Sequence, residues 1–357
     1  MNPAFPLGKS DLSADAVVRS SPCFLGCATV DITERIDPQI RARLDHYLEL
    51  VGPDGLSGIT DIPERRRRQA ELSALRAEPV VSEDVDVHDL SIPHGAETQG
   101  EPVLLRVYRP RAATRPAPCV YYIHGGGMVA GSVASDHAKT VRLAQTTGCV
   151  VVAVEYRLAP ENPYPAAVDD CYVGLVGIAD RHRDLGIDPG RIALYGTSAG
   201  GCLAAAVALL ARDRGGPAIA HQTLVSPMLD DLSSTPSTMV NTGFGAWSRE
   251  ANIQSWQAWL GRDFGTDRIS PYAAPARARD LAGLPPAYID VGDLDLLRDE
   301  AIDFARRLSW AGVPVELHVY PGGIHGGESL APEAGLSVRI RGYRRDALHR
   351  ALHGERR

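Results

Sequence analysis

The chain is poor in lysine: of 37 basic residues only Lys9 and Lys139 are lysines, and the net charge over 357 residues is −7. No basic stripe is present, which argues against nucleic acid as a partner. The one cationic run, Arg65 to Arg68, follows Pro63-Glu64 and reads as the solvated side of a short helix. Long apolar runs are missing too: none approaches the roughly 18 residues that span a bilayer, so a membrane partner is not expected. Residues 1–21 lack the apolar stretch of a secretory signal, which reads as a cytoplasmic location. Six cysteines are too few for a disulfide scaffold, and Cys119, Cys149, Cys171 and Cys202 lie in apolar runs where reduced thiols are expected. Cys23 and Cys27 form C-x3-C with no His or Cys nearby, so no metal site is expected.

What is present is enough chain for one large or two medium domains. From about residue 84, short β-rich runs alternate with longer helical ones, the pattern of an α/β fold with helices on both faces of a mostly parallel sheet. Residues 85–92 and 103–109 alternate apolar with polar, as half-exposed antiparallel strands do. Residues 119–123, 149–154, 191–195, 219–225, 287–291 and 315–320 read as buried strands at the sheet's centre, giving eight strands in all. Helices are expected at 136–147, 166–182, 199–212, 296–311 and 336–353. Two segments stand outside this alternation. Residues 1–80 contain two amphipathic helices, 38–50 and 63–77, and an insert at about 227–278 carries Trp247, Trp256 and Trp259. Both are expected to form a cap over the strands' carboxyl ends, where such sheets bind ligands. The catalytic domain then covers 81–357, and the first 80 residues are too few and too helical for a core of their own.

Gly196-Thr197-Ser198-Ala199-Gly200 is a G-x-S-x-G match between a strand and a helix of small residues. A nucleophile at so tight a turn needs glycine on either side, and the helix N-terminus favours a developing anion. Composition alone yields about 0.2 such matches in a chain like this, so the pattern needs support. His124-Gly125-Gly126-Gly127 provides it, with a chance expectation of about 0.01. Consecutive glycines leave bare N–H groups that can hold an oxyanion, each worth roughly 3 kcal/mol.

A serine hydroxyl needs a general base, and the base an orienting carboxylate. Both are expected later in the chain, in loops at strand carboxyl ends. Of 11 histidines, His325 alone lies in such a loop after Ser198. Asp293, Asp295 and Asp299 all lie close and spacing does not separate them; Asp299 is expected a turn into the following helix, which leaves Asp293 or Asp295, with the other capping that helix.

These residues resemble a bacterial member of the hormone-sensitive-lipase-like esterases, α/β-hydrolases that carry His-Gly-Gly-Gly and either Gly-Asp-Ser-Ala-Gly or, as here, Gly-Thr-Ser-Ala-Gly. Further matches are 155–161 (Glu-Tyr-Arg-Leu-Ala-Pro-Glu), Asp169-Asp170, 270–275 and 292–300, so the resemblance covers roughly residues 36–328. It implies an α/β-hydrolase fold with a helical cap, a Ser198, Asp295 and His325 triad, and an oxyanion hole from the N–H groups of Gly125, Gly126 and Ala199. It further implies hydrolysis of short- to medium-chain carboxylic esters without cofactor, on a small-molecule ester substrate, with a homodimer left open. Trp247, Trp256 and Trp259 either line an apolar pocket under the cap or pack cap to core. The family has a bulky aromatic two residues after the catalytic His, where this chain has Gly327; a roomier wall is expected there. The same triad serves hydrolases of amides, lactones or acetylated small molecules, and a non-catalytic binding protein on the same fold is the remaining alternative.

Overall fold

Eight strands form one sheet in the order β1-β2-β4-β3-β5-β6-β7-β8. They are β1 (Val85–Ile92), β2 (Val103–Pro110), β3 (Ala117–Ile123), β4 (Val150–Glu155), β5 (Ile187–Thr197), β6 (His221–Val225), β7 (Ala287–Gly292) and β8 (Val315–Tyr320). β2 runs antiparallel to both its neighbours, and all pairs from β4 to β8 are parallel. The computed structural model describes residues 32–76, 83–95, 98, 100–240 and 246–354. Expectations for Cys23, Cys27 and the rest of 1–31 lie outside the described residues.

The period-2 alternation of the central strands feeds two cores. Cys119, Tyr121 and Ile123 of β3 join one, with α4 (Ala166–Asp180), the short α5 (His182–Leu185), α6 (Ala199–Arg214) and α9 (Arg298–Trp310) on that face. Val120 and Tyr122 join the other, with α3 (His137–Thr147) and the terminal α11 (Gly335–His353). Every residue of α6 from Ala199 to Ala211 is buried. Small side chains all round that helix let it pack against both the sheet and its neighbours.

Two expectations change. β8 is the sheet's edge, not its centre, with Leu317 and Val319 both 37% exposed. The helix expected over 166–182 stops at Asp180, and a separate turn, α5, leads into β5.

The remaining helices gather at the carboxyl ends of the strands. α1 (Pro38–Val51) starts on Asp37, whose side chain accepts from the N–H of Gln39 and Ile40. Pro38 at the first helical position reinforces that start. Its buried residues Ile40, Leu44 and Tyr47 pack with Leu294 and Ile324 from the loops after β7 and β8. α2 (Ile62–Arg76) holds the arginine run, which is only half solvated. Arg65 is 3% exposed and donates to Ile59 O at 2.9 Å and to Gln254 Oε1. Arg66 donates to Val129 O, to Ala159 O at 2.5 Å and to Glu161. Only Arg67 and Arg68 face water; Arg66 fastens the helix to the loops after β3 and β4, and Arg65 ties it to Ile59 and Gln254. From the insert come α7 (Pro236–Val240) and α8 (Arg249–Leu260), and α10 (Gly327–Leu330) follows the loop after β8.

Candidate active site

The strand order reverses at β3. The chain leaves β3 for β4 on one side and returns to β5 on the other, so the loops after β3 and β5 open a crevice at the sheet's switch point. Ile123 pairs with Gly196 at the end of both strands, which sets His124–Gly127 beside Gly196–Gly200.

Ser198 stands at φ 57 and ψ −118, strained backbone for a residue with a side chain. Its N–H donates to Val225 O at 2.8 Å, and its carbonyl accepts from Met228 N at 3.1 Å. The flanking glycines are steric necessities. A Cβ on Gly196 would lie 2.0 Å from Gly200 O, and one on Gly200 would lie 2.1 Å from Ile123 O. On the facing loop a Cβ at Gly125 would lie 2.9 Å from Thr197 O. Gly126 O accepts from the N–H of Val129 and Ala130, and among the described residues the Gly125 and Gly126 amides serve no loop hydrogen bond. Ala199 opens α6, where a first N–H has no partner within the helix. His124 braces this loop from behind: its ring stacks on Tyr156 at 4.1 Å, and Tyr156 OH donates to His124 O at 2.9 Å.

The loops after β7 and β8 interlock. Gly322 N–H donates to Asp293 Oδ1 at 2.7 Å and Leu294 N–H to Gly323 O at 3.0 Å, while a Cβ on Gly292 would lie 2.2 Å from Gly323 O. That interlock separates the two carboxylates. Asp295 Oδ2 lies 2.9 Å from His325 Nδ1, and its Oδ1 accepts from Leu297 N–H at 2.9 Å. Asp293 instead pairs with Arg35, at 2.5 Å, and holds Gly322. So Asp295 both reaches the histidine and caps the turn into α9. His325 Nε2 lies 3.1 Å from Ser198 Oγ, which completes a line from Asp295 to Ser198. Asp295 is fully buried, and Ser198 is 6% exposed.

Burial alone would hold the His325 imidazole neutral, but the Asp295 carboxylate outweighs it by charge and hydrogen bond and raises the pKa above the usual imidazole value. Glu328, three residues on, adds to the rise. This half-buried carboxylate accepts from Arg344 of α11 at 3.0 Å, and Arg344 grips Asp290 of β7 at 2.6 and 3.0 Å. Burial works against ionisation of Glu328, but Arg344 holds its carboxyl below the usual range. Sequence reasoning missed this link, because nothing in the spacing announces a partner 16 residues away on another helix.

Of the insert's three tryptophans, Trp247 alone reaches the site. Its ring lies 6.2 Å from that of His325, and a Cβ on Gly127 would come within 2.6 Å of it. Trp256 and Trp259 do not line a pocket: both are fully buried in the main core, with Trp259 Nε1–H donating to Ala273 O at 3.2 Å. On α8 they sit on the face packed against the core. Nor is the wall at Gly327 roomier. A Cβ there would lie 3.1 Å from Ile324 and 3.3 Å from Ile40 of α1, which fill the space from the other side. Among the described residues no cluster of three His, Cys, Asp or Glu is arranged for a metal, and no helix is long and apolar enough to cross a membrane.

Residues 120–328 match a family described by its alpha/beta hydrolase fold. The chain is 34% identical over 323 residues to the carboxylesterase NlhH of Mycobacterium tuberculosis, covering 89% of this chain and 97% of that one. It is 34% identical over 289 residues to an ethyl acetate hydrolase of Pseudomonas putida, covering 78% and 89%. Among solved structures, a bacterial heroin esterase superposes with a TM-score of 0.83 at 37% identity, covering 90% of this chain and 99% of that one.

Proposed function

We infer from these relatives that the chain, which belongs to the α/β-hydrolase family, is a carboxylic ester hydrolase, and we propose that Ser198, His325 and Asp295 carry its reaction. The observation that carries the assignment is the line from Asp295 through His325 to Ser198, with contacts of 2.9 and 3.1 Å. Ser198 Oγ attacks the ester carbonyl carbon as its proton passes to His325 Nε2, and Asp295 holds the imidazolium that forms. The N–H groups of Gly125, Gly126 and Ala199 receive the oxyanion. Collapse of the tetrahedral intermediate expels the alcohol, which takes the proton from Nε2 and leaves an acyl-Ser198. Water then attacks the acyl carbon as His325 takes its proton. The second intermediate releases the acid and returns the proton to Ser198.

The proposed substrates are short- to medium-chain esters. The ethyl acetate hydrolase among the relatives supports the short end of that range. The helices α1 and α2 and the insert at about 227–278 act as a two-part cap on one catalytic domain; their contacts with the loops after β3, β4, β7 and β8 support that division. Purified protein should release p-nitrophenol from p-nitrophenyl butyrate, and Ser198→Ala should abolish the release. An inactive wild type, or an active Ser198→Ala variant, overturns the assignment.

A further inference from the structure

Trp247 stands one residue before Ser248, whose hydroxyl caps α8 by accepting from Ala251 N–H at 3.1 Å. A residue at that place often packs its apolar side chain on another apolar one in the second turn of the helix, which pins the entering chain. Here the residue in the second turn is Asn252, a fully buried amide. Its Oδ1 accepts from Trp247 Nε1–H at 3.0 Å, and its Nδ2 donates to Ser233 Oγ at 2.9 Å. An apolar residue would pin the chain without the cost of burying an amide. What the amide adds is direction, because a ring tied through its N–H is held in one orientation.

Ser233 repeats the pattern. It is fully buried and stands at φ 48, left-handed backbone that is costly for a residue with a side chain. Its hydroxyl accepts from Asn252, and its carbonyl accepts from Arg249 Nε at 3.3 Å. Two buried polar residues and one strained position therefore serve the orientation of a single indole. That indole is half-buried, and its ring centre lies 6.2 Å from that of His325.

The imidazole of His325 gives Nδ1 to Asp295 and Nε2 to Ser198. In the acylation step Nε2 also hands its proton to the leaving alkoxy oxygen, which must come within hydrogen-bond reach of it. The first carbon of the alcohol is then one bond from an oxygen that Nε2 touches, and the first carbon of the acyl chain is two. The alcohol is thus the part of the ester held closer to the imidazole and to the ring beside it. A wall fixed in one orientation rejects a group that overlaps it, whereas an untied ring can turn aside.

We propose that Asn252 is a positioning residue which, with Ser233, locks the Trp247 ring beside His325, and that the locked ring selects esters by the size of their alcohol part. This rests on the esterase reading and deepens it.

The test varies one side of the ester at a time. The kcat/KM of benzyl butyrate over ethyl butyrate reads the alcohol side, and that of ethyl hexanoate over ethyl butyrate reads the acyl side. Both ratios are measured in wild type, Asn252→Leu, Trp247→Phe and the double variant, so that intrinsic reactivity cancels. Leucine keeps the size of the amide, and phenylalanine keeps an aromatic ring, so the two substitutions break one hydrogen bond from opposite ends. Each single variant should raise the benzyl-to-ethyl ratio by about tenfold. The acyl ratio should stay within about twofold, and in the Trp247→Phe background Asn252→Leu should change the alcohol ratio no further, since the two share one interaction. Trp247→Phe, at a half-buried ring, carries the test if the leucine variant does not fold. An unchanged alcohol ratio in the single variants, an undiminished effect of Asn252→Leu in the Trp247→Phe background, or a shift in the acyl ratio alone would overturn the proposal while leaving the esterase intact. A wild type that hydrolyses none of the three esters overturns both.

Discussion

The floor and the roof of this site are held by different forces. In the floor, backbone meets backbone: Gly196 against Gly200, Gly200 against Ile123, Gly292 against Gly323, each too close for even a methyl. Nothing there can move without moving a strand end. The roof is held by side chains. Arg66 reaches two carbonyls and Glu161, Arg35 reaches Asp293, and Gln254 receives Arg65. Such contacts are individually weak when half exposed, and they can re-form in new geometries. The difference assigns tasks: the floor's backbone contacts hold the reacting groups in place, and the roof's side-chain contacts are the ones that can re-form.

The largest effect should come from the floor's charge. Asp295→Asn should lower kcat by about 10⁴-fold, since the imidazole loses the partner that fixes its tautomer. Asp293→Asn should cost less than about tenfold, because Asp293 serves Arg35 and Gly322. Steady-state kinetics on both variants decide it, and the reverse ranking would break the assignment. Next comes steric precision. Gly200→Ala should lower kcat by at least about 10²-fold, as displacement of the reacting groups by an ångström does; full activity would show that the floor yields.

The acid limb of kcat/KM sharpens the electrostatic side. His325 must be neutral to take a proton, and its pKa is raised, so activity should fall as pH drops through a midpoint above about 6.5. Glu328→Gln removes one source of the rise and should shift that midpoint downward. An unmoved or rising midpoint would contradict the link through Glu328. The smallest effect belongs to the roof. Arg66→Ala should lower Tm by about 2 °C and change kcat/KM by less than about threefold. Loss of catalysis in that variant would dissolve the distinction between floor and roof.

The floor was also the more legible part. Ser198 and His325 follow from two glycine turns and the order of strands, because a nucleophile turn constrains its immediate neighbours in sequence. Asp295 was harder: Asp293 lies two residues away with equal access to the same loop, so spacing left both open, the family resemblance favoured Asp295, and the interlock with Gly322 and Gly323 shows why they differ. The roof was poorly legible because its contacts join residues far apart in the chain. Arg65 and Arg66 look like a solvated run until Gln254 and Ala159 are placed beside them. Gly327 reads as a vacancy until Ile40, nearly 300 residues earlier, fills it. Trp256 and Trp259 were read as pocket lining or as packing, and only the helix they share shows both turned into the core.

The central claim is that Ser198 carries the acyl group between two half-reactions. Rapid acid quench of the enzyme turning over p-nitrophenyl acetate, followed by peptide mass spectrometry, tests it most directly. One acetyl group on the peptide containing Ser198, absent from the Ser198→Ala variant, is the predicted result. Acetyl on another residue, or an equal amount in the variant, would contradict it.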